Sequence, residues 1–367
     1  MKVLHVLHEL KFSGAEIMYV DAAPEFQKLG CELTVVNSSA EMGEYAVFFE
    51  KAGYDIKHIV YPGRKNILKR IAYIIRMIDM LKNEHFDVIH IHSSLVWWDL
   101  SLAAKIAGCT CVYTFHNVFS SNWYSYWLHW LKRVTARKWF DCRFQSISDS
   151  VFNHELNYYK NTTTKIYNWY GCNRYFPAVD DEKIRFRKEL NIATDALVLI
   201  SVGGCSDIKR HHEIIKAMPQ ILKVKPDMVY LHLGSGQTEG EEKELADKLQ
   251  IQNHVCFYGN QIDVRKFLIA SDIYIMPSKF EGLSITTIEA LACKIPAILY
   301  AVPGLVDFNK TGENSLIIKE DYSILAESVV KLNADSVLMN TLANNGKLFV
   351  DNFFNMNNNV KEIYKLY

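Results

Sequence analysis

The 367 residues exceed what one small hydrophobic core organises and divide, as a prior, into two domains. The 41 Lys and Arg balance the 41 Asp and Glu, which removes a general attraction to nucleic acid; any electrostatic targeting must be local. Eight scattered cysteines without a C-x-x-C pair exclude a zinc ribbon and read as reduced, buried thiols, Cys109 and Cys111 on one strand face included.

The opening "MKVLHVLHELKF" has too short an apolar run for a signal peptide. No stretch reaches the roughly eighteen uninterrupted apolar residues of a membrane span, so a soluble, cytoplasmic protein is expected. Val- and Ile-rich runs then alternate with segments of helical period. "KVLHVL", "CELTVV", "FDVIHIH", "CVYTF" and "CRFQSIS" come first, and "ALVLISVG", "MVYLHLG", "HVCFYG", "DIYIMP" and "IPAILY" follow. Runs apolar on both faces suit parallel strands covered by helices. The fold class predicted is therefore α/β, with two Rossmann-like doubly wound sheets. The alternation pauses between about 170 and 195, at "GCNRYFPAVDDEK", giving domains over 1–170 and 171–352 and a C-terminal helix over 353–367 packing back on the first. Ligands are expected where strands end, in a cleft between the two sheets.

Several segments have two readings. In "GRKNILKRIAYIIRMIDMLK", Ile67, Ile71, Ile74, Ile78 and Leu81 form a stripe, with Lys65, Lys69 and Arg76 away from it. "NWYSYWLHWLKRVTARKW" sets Trp123, Trp127, Trp130 and Val134 at helical spacing beside Lys132, Arg133, Arg137 and Lys138. Both read as sheet-facing core with solvated charges, or as docking surfaces for an anionic membrane. "HIHS" puts His90 and His92 on one strand face, where packing is favoured over metal ligation, and His92 and Ser93 stand at an edge open to an acceptor. "VYLHLGSGQTEGEE" resembles a dinucleotide turn through Gly234, Gly236 and Gly240. The acid expected about twenty residues on is absent, so a tight turn is preferred, with Gly259 and Asn260 as neighbours of a base.

"KFEGLSITTIEALACKIP" carries Glu281 and Glu289 with seven residues between them. Ser284 is a good N-cap for "ITTIEALA". Glu281 then lies in the approach loop and Glu289 in the second turn, with backbone N–H groups near Ser284 to Thr286 forming an anion site. Five residues of helix rise about 7.5 Å, so the row of carboxylate, anion site and carboxylate matches a sugar, a diphosphate and a ribose.

"PSKFEGLSITTIEALACKIPAIL" resembles the E-x(7)-E signature of the retaining nucleotide-sugar glycosyltransferases of family four, which have the GT-B fold, and the resemblance extends over essentially the whole chain. It implies that Glu281 faces donor-sugar hydroxyls, that Glu289 binds the ribose, and that Gly282, Leu283, Ser284 and Ile285 line the donor between them. "ELKFSGAE" resembles the family's Gly-Gly-Ala-Glu turn, in which Gly14 lets backbone approach the donor phosphates and Ser13 replaces the first glycine. "YTFHN" supplies His116 near the reacting sugar, and "SVGGCSDIKRHHEIIKAM" supplies Lys209 to neutralise the leaving diphosphate. "IYNWYGCNRYFP" resembles the hinge in altered form.

Two positions depart from the pattern. Gly204 stands where the family usually has an arginine, and Arg210 is expected to compensate beside Lys209. Lys294 replaces a usual glycine and reads as a surface change. No D-x-D triplet occurs, so no metal cofactor is expected. The resulting expectation is a retaining, metal-independent transferase with Glu281, His116 and Lys209 as catalytic residues. It would move sugar from a nucleoside-diphosphate sugar to a glycan or lipid-linked acceptor in cell-surface polysaccharide assembly. No nucleic acid partner is expected; the cytoplasmic location includes the inner face of the membrane. The alternatives are a non-catalytic nucleotide-sugar-binding protein, suggested by Gly204, and an NADP-dependent oxidoreductase, suggested by the glycine turn. Acceptor choice is assigned to loops 37–47 and 117–127.

Overall fold

The computed structural model describes residues 1–118 and 122–367; residues 119–121, within the loop assigned to acceptor choice, lie outside the described residues. The chain divides into two compact units, residues 1–169 with 356–367, and residues 170–355.

In the first unit the strands are β1 (Lys2–Leu7), β2 (Glu32–Asn37), β3 (Asp55–His58), β4 (Val88–Ile91), β5 (Thr110–Phe115), β6 (Arg143–Ser146) and β7 (Thr164–Lys165). They pair in parallel in the order β3-β2-β1-β4-β5-β6-β7. The helices are α1 (Gly14–Lys28), α2 (Ala46–Lys51), α3 (Ile67–Asn83), α4 (Trp97–Ala107), α5 (Trp123–Lys138) and α6 (Asp149–Asn157). The second unit has β8 (Val198–Val202), β9 (Val229–Leu233), β10 (Val255–Gly259), β11 (Ile273–Met276), β12 (Ala297–Tyr300) and β13 (Leu316–Ile318), ordered β10-β9-β8-β11-β12-β13 and again all parallel. Its helices are α7 (Glu182–Glu189), α8 (His211–Leu222), α9 (Glu239–Lys248), α10 (Val264–Ala270), α11 (Ile285–Ala292), α12 (Tyr322–Ala334) and α13 (Ser336–Phe353). The chain then returns to the first unit as α14 (Met356–Tyr364), which packs on α1.

Strands such as "VLISV" are buried at every residue, as sheets covered on both faces require. The strand order reverses between β1 and β4 in one unit and between β8 and β11 in the other. Those switch points are where ligands enter such sheets. The three strands unmarked by an apolar run are β3, β7 and β13, all at sheet edges and short.

The two amphipathic stripes are not simply sheet-facing core. On α3 the buried residues are Tyr73, Met77 and Leu81, while Ile67 and Leu68 are 68% and 80% exposed. On α5 Trp123 is 78% exposed. The charges of α5 divide as well. Arg133 is buried, donating to both oxygens of Glu155 (2.6 and 2.7 Å) and lying 3.7 Å from the centre of the Tyr159 ring. Lys294 is also more than a surface change: its φ of +61° puts it in the left-handed region that favours glycine, just past the end of α11.

Candidate functional site

In the second unit, three loops that leave the C-terminal ends of β8, β11 and β12 build the site. The Lys279 N–H donates to the Ile208 carbonyl (2.8 Å) and the Glu281 N–H to the Pro303 carbonyl (3.0 Å), so the loop after β11 is tied to both neighbours. These ties bring Lys209 Nζ to 2.6 Å from Glu281 Oε1, an oxygen that also accepts from the Ser278 hydroxyl at 2.6 Å. Glu281 is itself shielded, with 12% of its side chain exposed. The predicted sugar-facing carboxylate and the predicted diphosphate-facing cation are thus direct partners.

Helix α11 begins as its sequence predicts. Ser284 is extended and its side chain accepts from the Thr287 N–H. Thr286 anchors the first turn by donating to the Val202 carbonyl at the end of β8 (3.1 Å). Gly282, Leu283 and Ser284 are buried, Ile285 is half-buried, and Glu289 is buried on the following turn. Gly259 ends β10 at φ +62°, its carbonyl accepting from the Gly234 N–H (2.8 Å), and Asn260 beyond it is exposed.

The glycine turn after β9 serves backbone packing. A Cβ on Gly234 would sit 1.9 Å from the Gly203 carbonyl oxygen, and one on Gly236 would sit 2.4 Å from that of Cys205. Each has a φ of +130° or more, so only glycine lets this turn lie against the loop after β8. Arg210 has partners of its own, its guanidinium lying 2.5 Å from Glu320 and 3.7 Å from Glu213. Gly204 is exposed, and a Cβ there would meet only the Ser235 carbonyl at 3.5 Å, so the missing arginine is a loss of charge and not a demand of packing.

Gly304 was not anticipated. Its φ is +81°, and a Cβ on it would lie 2.3 Å from the Glu281 carbonyl oxygen and 2.7 Å from the carbonyl carbon. The loop after β12 therefore serves as the floor on which Glu281 rests.

In the first unit Gly14 opens α1 after Ser13, whose hydroxyl donates to the buried Glu16 carboxylate. Burial pushes Glu16 up to about 7, against the opposing pull of that hydrogen bond. Beyond the switch point, His116 follows β5 and its Nε2 lies 3.2 Å from His92 Nδ1, while His92 Nε2 lies 3.2 Å from His5 Nδ1. His92, expected at the acceptor, therefore has both ring nitrogens engaged by histidines. Ser93 is buried beside it, its hydroxyl without a partner among the described residues. Desolvation holds His5 down at about 3 and His116 at about 4, and drives His90 and His92 well below the usual histidine range.

His90 belongs to a second line whose protons can be assigned. The Gln145 amide N–H donates to the Ile166 carbonyl (3.0 Å), so its oxygen accepts from the Thr114 hydroxyl (2.7 Å). Thr114 must then accept from His90 Nε2–H (2.7 Å), leaving His90 Nδ1 to accept from the Tyr367 hydroxyl (2.8 Å). Two groups, His5 with His90 and His92, and Cys205 with His232 and Glu242, each bring three potential metal-ligand atoms within 4.8 Å of one another. Sequence spacing did not reveal either group, because parallel strands supply partners far apart in the chain. In the first, both His90 nitrogens are already bonded; in the second, His232 Nε2 lies 2.9 Å from a Glu242 oxygen.

The comparisons agree with this architecture. Residues 182–349 match the family model of glycosyl transferases group 1, and residues 12–149 that of glycosyltransferase family 4. The UDP-Gal:alpha-D-GlcNAc-diphosphoundecaprenol alpha-1,3-galactosyltransferase of Escherichia coli is 24% identical over 321 residues, 82% of this chain and 80% of that protein. The putative glycosyltransferase EpsD of Bacillus subtilis is 26% identical over 277 residues, 71% of each chain. Among solved structures, Anabaena HepE in complex with UDP and glucose has a TM-score of 0.84 at 18% identity, covering 100% of this chain and 98% of that one. WaaG, a glycosyltransferase involved in lipopolysaccharide biosynthesis, has a TM-score of 0.73 at 16% identity, covering 98% and 99%. The two family matches together take in most of both units, and the chain belongs to the family four, group 1 glycosyltransferases, enzymes of the GT-B fold.

Proposed function

We propose that the protein transfers a sugar from a nucleoside-diphosphate sugar to a glycan or lipid-linked saccharide, with retention at the anomeric carbon and without a metal, in assembly of a cell-surface polysaccharide. The observation that carries this reading is the Lys209–Glu281 pair at the end of β8 and β11, directly before the N-terminus of α11. HepE, bound to UDP and glucose, and the E. coli relative, named for UDP-Gal and a diphosphoundecaprenol-linked sugar, support the donor and acceptor classes.

In this mechanism the bond from the anomeric carbon to the diphosphate oxygen breaks as the acceptor oxygen bonds to the same face. The acceptor proton passes to the departing diphosphate. Lys209 and the α11 N-terminus at Ser284 meet the charge on the leaving group. Glu281 offsets positive charge on the sugar ring, Glu289 holds the ribose, and His116 orients the sugar. The test is nucleotide release by purified protein from UDP-, GDP- and ADP-sugars with EDTA present, followed by the anomeric configuration of the product made with a saccharide acceptor. Slow donor hydrolysis that survives EDTA is expected. A strict divalent-ion requirement would refute the metal-free mechanism, an inverted product would refute retention, and no measurable nucleotide binding would refute the donor class.

The reading includes docking on the anionic inner face of the membrane. No helix among the described residues is long and apolar enough to cross a bilayer. The first unit nonetheless exposes Ile67, Leu68, Ile71 and Ile75 on α3 and Trp123, Trp127, Leu128 and Leu131 on α5. Basic groups lie among them: Lys132 is pulled below the usual lysine range by desolvation first and then by Arg64 and Arg70, with Asp99, the ion-pair partner of Arg70, opposing. Apolar side chains beside clustered basic groups match an anionic lipid surface. Vesicles rich in phosphatidylglycerol are expected to bind the protein in sedimentation assays at physiological salt. Leu68→Asp with Trp123→Ser should weaken binding at least about tenfold and leave donor hydrolysis intact; unchanged binding would remove the docking surface.

A further inference from the structure

Three neighbouring strands bring three imidazoles into one line. His5 stands within β1, His92 follows β4 and His116 follows β5, with N···N separations of 3.2 Å at both junctions. A hydrogen bond between two neutral imidazoles needs one N–H and one lone pair. The tautomers along the line are therefore not independent, and fixing one fixes all three.

Two polarities are available, and they differ at the inner end. His5 Nε2 is buried without a partner, and rings of Tyr19, Phe26 and Tyr54 surround it, with centroids 4.9 to 6.0 Å from that of His5. In one polarity this nitrogen is an orphaned N–H; in the other it is an orphaned lone pair. Buried donors without a partner are rarer than under-satisfied acceptors, which favours the bare lone pair. The proton of His5 then sits on Nδ1 and points to His92, the proton of His92 sits on its own Nδ1 and points to His116, and His116 Nε2 accepts. The one proton left to His116 is on Nδ1. No described residue accepts a hydrogen bond from that nitrogen.

We propose that His5 and His92 are positioning residues that hold His116 in the Nδ1–H tautomer, making it a hydrogen-bond donor to an oxygen of the sugar substrate and not a base. Its ligand contact rests on the proposed function; its tautomer does not. Desolvation of all three rings keeps the line neutral, so each imidazole carries one proton and the polarity persists across the physiological range. His90 next to it has the opposite tautomer, with its proton on Nε2, because Thr114 and Gln145 impose it. Neighbouring histidines on the same sheet are thus assigned different tautomers by their partners.

The experiment is a nitrogen–proton correlation spectrum of protein carrying ring-labelled histidine, with His116 assigned from the signals missing in His116→Gln. Wild type is expected to show His116 protonated at Nδ1 and bare at Nε2. The reverse pattern overturns the proposal. His92→Leu should lose that preference and lower kcat at least about tenfold with KM within about threefold, whereas His92→Gln, whose amide can still donate to His116 and accept from His5, should restore both. If His92→Leu leaves the His116 pattern unchanged, the positioning role is refuted. If the tautomers are as described but His116→Gln retains full transfer activity, the sugar contact is refuted and the proton line stands, so the two failures are separable.

Discussion

Glu281→Gln is expected to lower kcat by about a thousandfold while donor affinity stays level or tightens. The two effects have opposite origins in one contact. Glu281 Oε1 holds Lys209 Nζ at 2.6 Å; in the proposed mechanism the carboxylate would both stabilise positive charge on the sugar ring and compete with the diphosphate for the ammonium. Glutamine keeps the shape, and its amide oxygen can still accept from Ser278, but it removes the charge. On that mechanism Lys209 would then face the diphosphate without a rival anion, and the transition state would lose its negative partner. A reduced kcat without reduced binding is the signature of an interaction made in the transition state. Titration calorimetry with the nucleoside diphosphate and steady-state kinetics with the donor sugar separate the two. A kcat within tenfold of wild type would remove Glu281 from the chemistry, and a large loss of affinity would make it a ground-state binding residue.

The second large effect should come from a methyl group added outside the signature. Gly304→Ala places a Cβ 2.3 Å from the Glu281 carbonyl oxygen at a φ of +81°, so backbone and not a flexible side chain must give way. An L-residue in the left-handed region costs about 1–2 kcal/mol, and a catalytic group displaced by about 1 Å loses about a hundredfold in rate. Both are expected here: a kcat lower by about two orders of magnitude and a reduced melting temperature. Gly240→Ala is the control, since a Cβ there meets nothing within 4 Å and alanine suits α9. If Gly304→Ala retains kcat within threefold, Glu281 is not supported by this loop.

The positions of Glu281, Ser284, Glu289 and Lys209 were legible in the sequence because each follows a strand, caps a helix or lies at a fixed spacing inside it, and those positions are set by local pattern. Gly304 and His5 were not. Gly304 matters only because the loop after β12 lies under the loop after β11, a relation of adjacent strands that no spacing encodes. His5 sits inside a strand where an imidazole reads as packing, and its role depends on β4 and β5 carrying His92 and His116 to the same level. Arg133 looked like a solvated helix charge, yet Glu155 on α6 draws it inward. The partner of Arg210 was hidden for the same kind of reason: its neighbour Lys209 turns to Glu281, while Glu320, remote in sequence, holds Arg210. The sheets themselves were legible down to their edges, where β7 and β13 are too short for periodicity to register and β3, "DIKH", is mostly polar and only partly covered.

The return of α14 to the first unit has a consequence for how the protein is made. Unit two is one uninterrupted stretch of chain, 170–355, whereas unit one is split, with 356–367 separated from the rest by the whole of its neighbour. Domains ordinarily finish folding in the order in which the ribosome delivers them. Here the order of completion is inverted: β1 to β7 emerge first but lack the helix that covers α1 and the Tyr367 hydroxyl that His90 accepts from. The half that is synthesised first is thus the half that is finished last, and its His90 line acquires its Tyr367 partner only after the other half has left the ribosome.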